Sequence, residues 1–210
     1  MEHIEQRSIE WFQARCGSLG ASAVHEVLAK TKTGWSASRA SRLATMVIER
    51  LTGNPVETYQ NAAMLTGIER EPEARAAYEF MTGNTVEEIG LIRHPTIAGT
   101  HASPDGLIGD DGLLEVKCPQ PAQHMALLLG EAIPAKWVTQ VHWQIACCGR
   151  AWGDFVSFNP DFPLSMQLFI KRVPRDDVMI ADMEAEVRAF LVEVDEKVAA
   201  LTAKFERKAA

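Results

Sequence analysis

The sequence has no excess of positive charge. Its 21 Lys and Arg stand against 28 Asp and Glu, a net charge of −7. That excludes a protein that coats nucleic acid through bulk charge. It does not exclude a nuclease, because metal-binding carboxylates subtract from the basic count of any groove they line. Cysteine is scarce: Cys16, Cys118, Cys147 and Cys148 form no C-x-x-C pair, which argues against a disulfide scaffold. No apolar run reaches the ~18 residues that a membrane-crossing helix needs. Met1 to Glu10 is charged and shows no apolar leader, so a reduced, cytoplasmic setting is expected. Repeats and low-complexity tracts are also lacking. What is there is ordinary: 210 residues, 47% apolar and 23% charged, enough to bury a core without staples.

The chain order predicts an α/β (α+β) fold in a single domain over 1–210. A mainly helical part over 1–84 precedes a sheet core over 85–172 and a C-terminal helix over 173–210. Ser22 to Lys30 reads as a short helix. Ser38 to Leu51 reads as a second, with Leu43, Met46, Val47 and Leu51 on one face. Met64 to Met81 is a third, which Pro72 either starts or bends. Thr85 to Arg93 has the look of a strand. Leu107–Ile108 and Leu113–Lys117 form a hairpin across Gly109-Asp110-Asp111-Gly112. Two helices follow, Ala122–Leu129 and Ala135–Cys148, then strands over Trp152–Phe158 and Leu164–Lys171. A long helix spans Asp177–Lys208. Its stripe of Met183, Val187, Phe190, Val194, Val198, Leu201 and Phe205 fits a seam on the protein's own core or a subunit contact.

The chemistry concentrates in Ser103-Pro104-Asp105-Gly106 and Leu114-Glu115-Val116-Lys117. Glu115 and Lys117 are two apart on a strand and so share a face, while Leu114 and Val116 point the other way. The hairpin brings Asp105 back beside Glu115. Two close carboxylates resist joint ionisation. A hard dication such as Mg²⁺, which takes one or two carboxylates and keeps several waters, resolves that conflict. The neighbouring Lys117 ammonium can orient or deprotonate a water, or stabilise charge on a phosphate oxygen. The bland alternative is a solvated Glu–Lys pair on a strand edge. Against it stand the apolar strand, the tight turn at Asp105 and a preceding helix that carries Glu71.

This D-x9-E-x-K pattern is the D…(D/E)-x-K signature of a nuclease superfamily, PD-(D/E)XK. Over about Glu10 to Lys171 the chain resembles the lambda-exonuclease-like, or YqaJ-type, viral recombinase nucleases. The segments that carry the likeness run in order. They are Trp11-Phe12-Gln13-Ala14-Arg15 with Gly20-Ala21-Ser22, Gly67 to Arg75 with Glu71, Ser103-Pro104-Asp105-Gly106, Glu115-Val116-Lys117-Cys118-Pro119, and Gln140-Val141-His142-Trp143-Gln144. The resemblance implies a restriction-endonuclease-like core, a central mixed sheet flanked by helices. It implies Mg²⁺, with Mn²⁺ as a substitute, bound by Asp105, Glu115 and the Val116 carbonyl. Lys117 would position or activate the attacking water, Glu71 would stand at the edge of the metal site, and Gln140 would hold that geometry. Arg15, Ser22 and Ser103 would grip a DNA 5′-phosphate. Pro72, directly after Glu71, departs from the family pattern and puts the direction of Glu71 in question.

The activity so implied is a Mg²⁺-dependent 5′-to-3′ exonuclease. It digests one strand of linear double-stranded DNA to mononucleotides and leaves a 3′ overhang for strand annealing. The partners so implied are double-stranded DNA ends, two further copies in a ring-shaped homotrimer, and a single-strand annealing protein, with no membrane. An endonuclease on the same fold and a non-catalytic DNA-end-binding module are the alternatives. From the residues alone, Ser22 suits either an anion at a helix start or a plain N-cap. Trp35, Arg39 and Arg42 beside the Lys30–Gly34 loop suit either a DNA-end grip or an exposed loop. His101 and His142 suit a structural role or a substrate contact.

Overall fold

The computed structural model describes residues 4–56 and 62–206. Helix α1 (Ile9–Arg15) starts where the Ser8 side chain accepts from the Trp11 N–H, the usual way a Ser satisfies a free first-turn donor. Strand β1 (Leu19–Gly20) and one 3₁₀ turn (Ala21–Ala23) lead into α2 (Val24–Leu28). The ribbon β2 (Lys30–Thr31) and β3 (Gly34–Trp35) precedes α3 (Ala37–Thr52), capped by Ser36 and stopped by Gly53 at φ 69°. Then come α4 (Ala62–Thr82), β4 (Val86–Glu87), β5 (Ile92–Arg93), β6 (Thr100–Ala102), β7 (Gly106–Ile108) and β8 (Gly112–Lys117). Helices α5 (Pro121–Leu128) and α6 (Ala135–Cys148) connect β8 to β9 (Trp152–Phe158). Strand β10 (Leu168–Pro174) and helix α7 (Asp177–Glu206) close the order.

The main sheet runs β10-β9-β8-β7-β4. Its β8–β9 pair is parallel and the other neighbours are antiparallel. The parallel step requires a crossover, which α5 and α6 supply. A smaller sheet, β1-β6-β5, lies beside it. Strand β8 is covered on both faces, so its side chains sort by alternation. Leu113 enters the larger core with Val141, Ile145, Val187 and Phe190. Leu114 and Val116 enter a second core under α4, against Ala74 and Tyr78. Glu115 and Lys117 therefore share the face of Leu113, the α6 side, as the strand period requires.

The long stripe of α7 divides. Met183, Val187, Phe190 and Val194 are buried in the larger core, whereas Leu201 and Phe205 are 38% and 56% exposed. The end of the predicted helix, Arg207 and Lys208, lies outside the described residues. Pro72 starts nothing: α4 runs through it. The predicted strand Thr85–Arg93 is two strands in two sheets. It breaks near Gly90, whose bare α-carbon lies against the Ile4 backbone. Leu164–Met166 is a 3₁₀ turn, and pairing begins only at Leu168. Pro163 sets up that turn, because its fixed φ and missing N–H suit a turn start better than a paired strand. Among the described residues, no helix is long and apolar enough to cross a membrane.

Candidate active site

The β7–β8 hairpin holds Asp105 by two bonds. Its N–H donates to the Leu114 carbonyl at 3.1 Å, and its Oδ2 accepts from the Val116 N–H at 2.6 Å. The carboxylate is thereby locked over the end of β8. Glu115 is 1% exposed, and three donors reach it. Oε1 accepts from Gln140 Nε2 and Lys117 Nζ, and Oε2 accepts from Gln144 Nε2. With two donors on Oε1 and one on Oε2, the free lone pair is on Oε2. A cleft of about 450 Å³ opens here, lined by Glu71, Asp105, Val116, Lys117, Gln123 and Trp137 among others.

Burial pushes the Asp105 carboxyl well above the usual range, and Glu115 and Glu71 push it further. Lys117 and the Val116 N–H offset only part of this. Burial works against the Lys117 ammonium too, yet Glu115 and Asp105 outweigh it and hold the amine above its ordinary value. Asp105 and Glu115 thus form a pair carrying more negative charge than the cleft stabilises alone. A divalent cation fits that surplus. Among the described residues no cluster of three or more His, Cys, Asp or Glu is arranged as a metal cage. Two carboxylates and a backbone carbonyl nevertheless suffice for Mg²⁺, which keeps much of its water.

Glu71 also lines the cleft, but its oxygens are engaged. Arg75 donates to Oε1 at 2.8 Å, and Arg7 pairs with Oε2. Its charge bears on Asp105, while its oxygens serve the two arginines.

A second cluster lies beside β6. The Arg15 guanidinium stacks on Trp11 at 3.9 Å from the ring centroid. Among the described residues no carboxylate is in ion-pair contact with it. Burial and then Arg42 lower its pKa to about 10, against a smaller opposing pull from Glu49. Ser103 Oγ accepts from Trp11 Nε1 at 3.2 Å. Ser22 is exposed in the 3₁₀ turn, and α2 begins behind it with Ala23 at the cap. The plain N-cap reading of Ser22 is thus corrected.

Arg39 and Arg42 do not form an open basic grip. Arg39 is buried and paired with Glu193 at 2.7 Å, with Trp35 stacked on it at 4.2 Å. Arg42 makes a fork to Glu26 at 2.9 and 3.2 Å. Lys30 pairs with Glu186 at 2.8 Å. Of the three predicted grip residues, Trp35 is the exposed aromatic, at 44%. The reason is charge pairing with α2 and α7, which converts the basic loop into a scaffold contact.

Gln144 is a site residue that the motif alone did not single out. The available signal was its spacing, four residues after Gln140 and hence on the same helix face. Replacing it by Leu removes the only donor to Glu115 Oε2 among the described residues. The expected result is a loss of about 10–100-fold in activity at limiting Mg²⁺, the usual effect of removing a group that orients a metal ligand. Recovery at saturating Mg²⁺ in a metal titration would show that the loss lies in ion binding.

A mixed sheet flanked by helices, with an acid at a turn and E-x-K on the next strand, defines a restriction-endonuclease-like core of the PD-(D/E)XK class. Within that class the chain belongs to the YqaJ-like viral recombinase domain family, whose model matches residues 10–151. The chain is similar to LHK-Exo, an alkaline exonuclease from Laribacter hongkongensis. The identity is 46% over 97% of this chain and 100% of that one, with a TM-score of 0.87. The same nuclease in complex with dAMP superposes with a TM-score of 0.88 at the same identity and coverage. A phage-related exonuclease from Haemophilus somnus 129PT shares the fold, with a TM-score of 0.68 at 15% identity over 88% of this chain and 96% of that one. A comparison with curated proteins gives no match.

Proposed function

We propose that the chain is a Mg²⁺-dependent exonuclease that enters at double-stranded DNA ends. It removes mononucleotides from the 5′ end of one strand and leaves a 3′ overhang. The observation that carries this reading is that Asp105 and Lys117 line one cleft, with Glu115 buried behind it, paired with Lys117 and fixed by Gln140 and Gln144. Likeness to an exonuclease crystallised with dAMP, a mononucleotide, supports the product class.

Asp105 Oδ, Glu115 Oε2 and the Val116 carbonyl would hold the ion. When bound, Mg²⁺ supplies charge for the scissile phosphate and lowers the pKa of a coordinated water. Lys117 faces the same space. With its two carboxylate neighbours engaged, the field that raises its pKa weakens, so the amine can take a proton from the attacking water or hold that water in line. Gln140 and Gln144 keep Glu115 from turning. Arg15, linked to Ser103 through Trp11, would receive the 5′-phosphate together with Ser22, because a guanidinium without a carboxylate partner is free to form a fork with phosphate oxygens. A ring-shaped homotrimer around the duplex and a single-strand annealing protein on the overhang complete the reading.

Digestion of end-labelled linear duplex tests it. The expected products are labelled mononucleotides, stopped by chelation and restored by Mg²⁺ or Mn²⁺. Covalently closed circles should stay intact. Nicked circles or discrete fragments would point instead to an endonuclease.

A further inference from the structure

His101 lies in β6 and is 1% exposed. Its Nδ1 is 2.8 Å from Ser18 Oγ. The turn bearing Ser18 is itself tied to α1, since the Ser18 N–H donates to the Arg15 carbonyl at 3.0 Å. The other ring nitrogen, Nε2, is buried and has no hydrogen-bond partner among the described residues. Buried polar atoms are rarely left so, because each costs about 1–3 kcal/mol.

Gly20 shows where that nitrogen faces. A Cβ added to Gly20 would lie 3.0 Å from His101 Nε2 and 3.5 Å from an Arg15 guanidinium nitrogen. The two nitrogens therefore approach one point beside a residue that carries no side chain. Burial, then Arg15 and Arg93, lower the ring's pKa to about 3, so the imidazole is neutral at working pH. A neutral ring has one N–H and one lone pair. With a guanidinium nitrogen of Arg15 on its side, Nε2 is better occupied by the lone pair, which leaves the proton on Nδ1 to be donated to Ser18 Oγ.

We infer that His101 is a positioning residue for the terminal-phosphate pocket: its Nε2 lone pair aligns the Arg15 guanidinium as Arg15 turns to the 5′-phosphate. This rests on the reading that Arg15 holds that phosphate. A cationic side chain at 101 would repel Arg15. An apolar one would leave the guanidinium without an acceptor on that side.

The two amide residues separate the ring's nitrogens. Gln places its oxygen near the Nε2 position, whereas Asn reaches only as far as Nδ1. The intact protein and its Arg15→Ala, His101→Gln and His101→Asn variants are assayed on linear duplexes with 5′-phosphate or 5′-hydroxyl ends. The readout is the ratio of the two rates. Arg15→Ala should bring the ratio close to one. His101→Asn should lower it by about tenfold, the effect of one hydrogen bond to a charged group. His101→Gln should keep it within about threefold of the parent, a smaller change than losing that bond gives.

If Arg15→Ala leaves the ratio unchanged, the phosphate-grip reading itself is wrong. If Arg15→Ala collapses the ratio while His101→Asn preserves it, the inference on His101 alone is overturned. Equal collapse in both His101 variants also overturns it, because the Ser18 contact or simple packing then explains the effect. Should His101→Asn not fold, His101→Gln decides: collapse of its ratio refutes the inference, and retention supports it.

Discussion

Lys117→Ala is expected to reduce cleavage of linear duplex by about 10²–10⁴-fold, the range for losing a group that transfers a proton or stabilises transition-state charge. The fold should persist. Lys117 is a cleft residue, 25% exposed at its side chain, and Glu115 keeps two amide donors without it. Retained Mg²⁺-dependent thermal stabilisation would show that the metal site survives. Lys117→Arg sharpens the test. A guanidinium restores the charge but cannot give up its proton at any working pH. It should therefore stay within about tenfold of the Ala variant, well short of the full proton-transfer contribution. Recovery to near the parent rate would reduce Lys117 to a charge alone.

Asp105→Asn is expected to abolish turnover yet make the metal-free protein more stable. The Asp105 carboxyl has a raised pKa in the folded state. Below the unfolded value of about 4 both states are protonated, and Asp105 makes no difference. As pH rises above that value the unfolded chain releases the proton first, so Asp105 costs stability. The full cost is present once pH exceeds the folded-state pKa. The Asn side chain keeps an oxygen for the Val116 N–H and carries no charge. In EDTA at pH 8 the variant should melt higher, by about 2–4 °C for each kcal/mol relieved in a chain of this size. At pH 3 the two proteins should melt together. Added Mg²⁺ should raise the parent's Tm and leave the variant's nearly unchanged, because only a competent site links ion binding to folding. A variant that melts lower than the parent in EDTA would show that the carboxylate is structural.

The β7–β8 hairpin was legible because a strand has a period of two. Leu114 and Val116 had to pack one way, so Glu115 and Lys117 had to face the other, and the Gly109–Gly112 turn returned Asp105 to them. The pairings of the cations were not legible. Arg39 finds Glu193 on α7, 154 positions away, and Glu71 finds Arg7, 64 positions away. No local pattern encodes contacts made only when distant helices dock. The Trp35 loop therefore read as either a DNA grip or an exposed loop, although α2 and α7 neutralise its arginines. Short strands were missed for a related reason. Two- and three-residue segments such as β1 and β6 have too few positions to show alternation, and they exist because neighbouring backbone completes their hydrogen bonds. Pro72 left open a helix start that the structure does not use, since α4's contacts to the sheet outweigh one missing N–H.

Strand β6 joins His101 to Asp105 through Ala102, Ser103 and Pro104 alone. Its Thr100 is pinned at both sides, donating to the Leu19 carbonyl at 2.7 Å and accepting from Trp143 at 3.1 Å. On the proposed assignment of Arg15 and Asp105, so short a tether would act as a ruler between the place where a strand terminus is seated and the place where its backbone is cut. The length of each bite would then be written into three residues, and inserting one among them should change the size of the fragment released before it slows the release.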